Sequence, residues 1–99
     1  MFIDHMLHDT IITPRGTVII IDIADTPDAG IEGAYAIITD EELQKAREEW
    51  YDEGDGEYEP TVFELAEMCE ETAYWEVVSS HHRTAAAAEK KLRRAIANL

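Results

Sequence analysis

The run Val18-Ile19-Ile20-Ile21, followed by Ile23, constrains the fold of this chain more than any other segment. As a strand from Thr17 to Ala24 it sends Ile19, Ile21 and Ile23 to one face and Val18 and Ile20 to the other. A strand that is apolar on both faces belongs inside a sheet rather than at its edge. At four residues the run is far short of the ~20 that would span a bilayer.

The neighbouring segments extend the β reading. Asp9 to Thr13 is short and β-branched, and Thr13-Pro14-Arg15-Gly16 predicts a hairpin turn. Pro14 presets φ for the second turn position and Gly16 relaxes its close. Asp25 to Gly33, rich in Asp, Gly and Pro, is expected to be a loop, and Ala34 to Ile38 a third strand.

Thr39 followed by Glu42 makes a capping box that opens a helix, with Leu43, Ala46 and Trp50 as its apolar stripe. The segment Asp52-Glu53-Gly54-Asp55-Gly56-Glu57 ends it, because glycine and charge repulsion both oppose helix. Thr61 and Glu64 form a second capping box, followed by Val62, Leu65, Ala66, Cys69 and Ala73 as a buried face. Tyr74 to Ser80 is a fourth strand, with Trp75 and Val77 alternating inward. Thr84 caps the last helix, where Ala85, Ala88, Leu92, Ala95, Ile96 and Leu99 keep helical spacing.

The order β-β-β-α-α-β-α predicts an α+β fold: a three- to four-stranded, mostly antiparallel sheet with three helices packed on one side. Ninety-nine residues make a single domain, 1–99, with one modest core. Met1 to Leu7 lacks the basic flank and cleavage pattern of a secretory signal. Cys69 is the only cysteine, so an intramolecular disulfide is impossible, in keeping with a reducing cytoplasm.

Charge is the second constraint. The formal net charge is −14, unevenly spread. Residues 40–71 hold fourteen Asp and Glu against Lys45 and Arg47, a net of −12, whereas residues 83–99 carry a net of +4. No lysine or arginine occurs between Arg47 and Arg83. Such self-repulsion destabilises the compact state at low salt.

Few residues form a credible catalytic or metal-ligating pattern. His5 and His8, with Asp4 and Asp9, would need a third ligand from His81 or His82 to resemble a zinc site, and no spacing demands one. Ser79 and Ser80 beside His81 and His82 suggest a nucleophile and base, but strand neighbours point to opposite faces and no oxyanion loop adjoins them. Asp52 to Glu57 lacks the ligand spacing of a calcium loop. No glycine-rich phosphate cradle is present, and the basic residues of the last helix complement its dipole. The expectation is therefore no catalytic residue, no cofactor and no metal.

What remains is an acidic surface. Glu41, Lys45 and Glu49 make ordinary i,i+4 pairs, so the uncompensated set begins later. The residues expected to meet a partner are Glu48, Glu49, Asp52, Glu53, Asp55, Glu57, Tyr58, Glu59, Glu64, Glu67 and Glu71. Glu64, Glu67 and Glu71 fall on one helical face, with a spacing of about 6 Å between the latter two that is on the order of phosphate spacing. Mutual repulsion should raise the pKa values of these carboxylates, so mild acidification should add stability.

The chain is thus expected to occupy a basic, nucleic-acid-binding surface on another protein. In size and charge it resembles, as a class, the small inhibitors that phages and mobile elements direct against restriction or CRISPR complexes. Two rival expectations are a self-associating regulatory module, and a small metal protein or enzyme using His5, His8, His81 and His82.

Overall fold

The computed structural model describes residues 3–53 and 58–99. β2 (Val18–Thr26) lies between β1 (Asp4–Ile12) and β3 (Gly30–Ile38), and β4 (Trp75–His82) pairs with the far side of β3. All three pairings are antiparallel, in the order β1-β2-β3-β4. Helices α1 (Asp40–Asp52) and α2 (Val62–Cys69) and a 3-10 turn (Glu70–Thr72) connect β3 to β4, and α3 (Ala85–Ala97) follows β4. The α+β class and the expected element order are as the sequence predicts.

One part of that prediction is corrected: the helices do not share one side of the sheet. Val18, Ile20 and Ile38 pack with Ala46 of α1 and with Leu65, Ala66 and Cys69 of α2. Ile19, Ile21, Ile23, Ile31 and Tyr35 pack with Ala88 and Leu92 of α3. Since alternate residues of β2 face opposite ways, α3 must lie across the sheet from α1 and α2. The reason is legible in β2 itself. Ile19, Ile21 and Ile23 are fully buried, and exposing each would cost about 1.5–3 kcal/mol, so their face also needs a cover.

Local signals set most element ends. Thr13 N–H donates to Thr17 O at 2.9 Å, and Gly16, at φ 86°, closes the β1–β2 turn as anticipated. The segment expected to be a loop over 25–33 is mostly paired instead, with Asp25 opposite Ile31 and Thr26 opposite Gly30. Thr26 Oγ1 accepts from Ala29 N–H and donates to Gly30 O, so one hydroxyl organises a much tighter turn. Thr39, Thr61 and Thr84 each accept an N–H three residues on, as the helix starts require.

β4 departs from strict alternation. Glu32 of β3 faces both Ser80 and His81, and the register slips again between Gly33 and Ala34. These bulges shift successive side chains. Up to Val77 the register is regular, so Trp75 packs on the α1/α2 core and Val78 on the α3 core. Val77, expected to point inward, shares the Trp75 face but is 54% exposed because the helices leave that stretch uncovered.

Candidate functional site

The α1/α2 pair covers only part of its face of the sheet. Beyond α2 and the 3-10 turn, the remaining sheet surface forms an open trough of about 660 Å³. Its floor is Ala34, Val77 and Trp75, and its walls carry Asp22 of β2, Glu32 of β3, Glu67 of α2, and Glu70 and Glu71 of the 3-10 turn. His5 of β1 stands at one side. A smaller recess of about 200 Å³, lined by His8, Phe63, Glu67 and Glu70, adjoins it through the shared glutamates.

The trough exists because of irregular backbone. His5 pairs with Ala24 and Leu7 with Ile23, leaving Met6 as an extra residue. That bulge places His5 and His8, which regular alternation would separate, on the same face. His5 Nδ1 lies 3.0 Å from Asp22 Oδ1, His8 Nδ1 lies 3.3 Å from the same oxygen, and His8 Nε2 lies 2.9 Å from Glu70 Oε1. The His8 ring also tilts against Trp75, with centroids 6.4 Å apart. Asp22 and Glu70 are thus engaged. Among the described residues, Glu32, Glu67 and Glu71 form no ion pair.

The acidic residues expected at a partner surface divide into groups. Glu67 and Glu71 line the trough. Glu48, Glu49, Asp52 and Glu53 are exposed on α1 and its C-cap, outside the trough lining. Asp55 and Glu57 lie outside the described residues, as does most of the calcium-like segment. Glu59 is held by Arg47 at 2.7 Å. Tyr58 is exposed, packs edge-on against Trp50 and donates its hydroxyl to Glu64.

Glu64 makes the predicted capping box, but two expectations about it are corrected. Its carboxylate completes the capping box with Thr61, accepting the Thr61 N–H at 3.2 Å, so it is committed to the helix start. That N–H, and the hydroxyls of Tyr58 and Thr61, hold its carboxyl below the usual range, where neighbouring carboxylates were expected to raise it. Nor do Glu64, Glu67 and Glu71 share one helical face, because α2 ends at Cys69 and Glu71 belongs to the tighter 3-10 turn.

Asp22, Glu32 and His5 were not foreseen as partner residues. A signal was available: Asp22 is the single charge inside the isoleucine run, and a carboxylate at that place implies an uncovered stretch of sheet.

The other histidines lie elsewhere. His82 pairs with Ile31 on β4, three strand spacings or roughly 14 Å across the sheet from β1 and His5. Among the described residues no group of three or more His, Cys, Asp or Glu side chains is placed to hold a metal ion. His82 Nε2 does meet Ser79 Oγ at 2.7 Å, contrary to the expectation that strand geometry would separate such a pair. The β4 bulge brings them together, with His81 in the left-handed region at φ 60°. Neither the trough nor the smaller recess is lined by this pair.

Two further groups are shifted by their surroundings. Tyr35 donates to Glu76 at 2.8 Å, and that bond and burial raise its phenol pKa. Burial raises the Cys69 thiol, with the nearby charges of Glu42 and Glu49 adding to it. No helix among the described residues is long and apolar enough to cross a membrane. No family model, curated protein or solved structure matches the chain.

Proposed function

We propose that this protein is a binding module that covers a basic surface on another protein, with the trough as its central contact. The observation that carries this reading is the convergence of Asp22, Glu32, Glu67, Glu70 and Glu71 from separate elements around a floor containing Trp75 and Val77. An arginine or lysine entering there would lay its aliphatic stem on the floor and place its charge among carboxylates. The Trp75 ring adds a cation–π face. Long-range attraction from a chain of net charge −14 would speed encounter.

Surfaces rich in arginine and lysine are those built for nucleic acid, so the partner class is a nucleic-acid-binding protein. The specific version of the proposal is a nucleic-acid-mimicking inhibitor of a phage-defence complex, CRISPR or restriction, acting in the cytoplasm. A direct test measures competition with duplex DNA for purified effectors of these two kinds. Neutralising Glu32, Glu67 and Glu71 to Gln should abolish competition. The same change at Glu48, Glu49 and Asp52, outside the trough, should leave most of it. Equal loss from both sets would remove the trough from the proposal.

A second reading rests on the exposed Lys90, Lys91 and Arg94 of α3, opposite in charge to the trough. These residues could dock on a second copy. Gel filtration at low and high salt distinguishes it, since such a dimer should dissociate as salt rises.

A further inference from the structure

On the opposite face of the sheet, a groove of about 720 Å³ opens between the Thr13–Thr17 turn, the end of β3 and the last turn of α3. Its apolar lining includes Ile11, Ile12, Ile37, Ile96 and Leu99. Ile12, Ile37 and Leu99 are each at least 40% exposed, so apolar surface here is left in water. Arg15 and Arg93 also line the groove, and among the described residues no Asp or Glu side chain does, in a chain that carries twenty-two of them. Among the described residues Arg15 has no ion pair, and Arg93 has only Glu89, one helical turn away at 3.3 Å.

We propose that this groove binds an amphipathic anion: an aliphatic body carrying one carboxylate. The volume falls within the range of small-molecule sites, and an apolar lining with a few polar groups is their usual composition. The sign of the charge follows from the two arginines, whose guanidinium groups match a carboxylate in shape as well as charge. A second copy of the chain docking here by two-fold symmetry would bring Arg15 and Arg93 against their own copies. An aliphatic carboxylate meets no such repulsion, and it covers the exposed isoleucines.

The test titrates isotope-labelled protein with hexanoate, octanoate and decanoate below their micellar concentrations, beside the matching alkylammonium ions and alcohols. Amide shifts should concentrate at Ile11, Ile12, Arg15, Ile37, Arg93 and Ile96. Affinity should rise about fourfold per added methylene until the groove is full. Carboxylates should bind at least about tenfold more tightly than the ammonium ions. In Arg15→Gln/Arg93→Gln that preference should disappear while alcohol binding persists, which separates lost recognition from lost fold. Ile37→Asp, at an exposed position, should remove binding of the whole series.

Shifts elsewhere, no dependence on chain length, or an undiminished carboxylate preference in the double variant would overturn the proposal. So would concentration-dependent broadening of the same amides without ligand, because a second copy would then be the occupant.

Discussion

His8 Nε2 lies 2.9 Å from Glu70 Oε1, joining the edge strand β1 to the 3-10 turn after α2. The other ring nitrogen faces Asp22 at 3.3 Å, so only the doubly protonated imidazole donates to both carboxylates. The bridge is exposed, and its loss should change stability by no more than about 1 kcal/mol. Its larger effect is on the trough. His8→Ala frees Glu70 and leaves Asp22 to His5 alone, and should tighten binding of an arginine-rich peptide while steepening its salt dependence. Isothermal titration at two salt concentrations measures both, and weaker binding with an intact fold would count against the trough as a cation site.

Glu64 sets an acid limit. Its folded carboxyl is held below the ordinary value of 4.5, so the ionised form is favoured by folding. The resulting stability is present above that value and is lost as pH falls through the lower folded pKa. Thermal melts should therefore show stability declining on acidification below about 4.5, with a shallower decline in Glu64→Ala. A gain in stability over that window, as repulsion alone would produce, would contradict the capping role.

The Cys69 thiol is buried, and its pKa is pushed up. Because the thiolate is the reactive form, alkylation of native protein near neutral pH should be slow. It should become fast on addition of denaturant. Rapid labelling of the native protein would mean that the α1/α2 layer opens readily.

Two-sided packing makes each helical layer indispensable. Leu65 beneath α2 and Leu92 beneath α3 are both fully buried. Leu65→Ala and Leu92→Ala should each cost about 2–5 kcal/mol in denaturant unfolding. If only the α2-side substitution were costly, α3 would not be the cover for Ile19, Ile21 and Ile23.

Gly30 sits at φ 62°, and a Cβ there would come within 3.3 Å of the His81 backbone. Gly30→Ala should therefore destabilise the fold by about 1–2 kcal/mol from the backbone conformation alone. It should also disturb the Ser79–His82 contact, visible as shifted His82 ring signals. Unchanged stability would show that the β3–β4 bulge has room to relax.

Local chemistry by itself determined a great deal. The Thr39, Thr61 and Thr84 caps, the Thr13–Gly16 turn and the interior position of β2 were legible, because each depends on residues close together in the chain. Even the two-sided cover was written into Val18 to Ile23, where both faces are apolar. A single layer of helices would leave one of those faces in water.

The trough belongs to the tertiary structure. It depends on the Met6 bulge, which turns His5 and His8 to one face, and on where α2 stops short of Asp22, Glu32 and Val77. Neither follows from a strict period of two or 3.6, because bulges and helix placement are decided by contacts between segments distant in sequence. The same holds for individual carboxylates. Composition marked Glu59 and Glu67 alike, yet folding gave Glu59 to Arg47 and left Glu67 facing the trough.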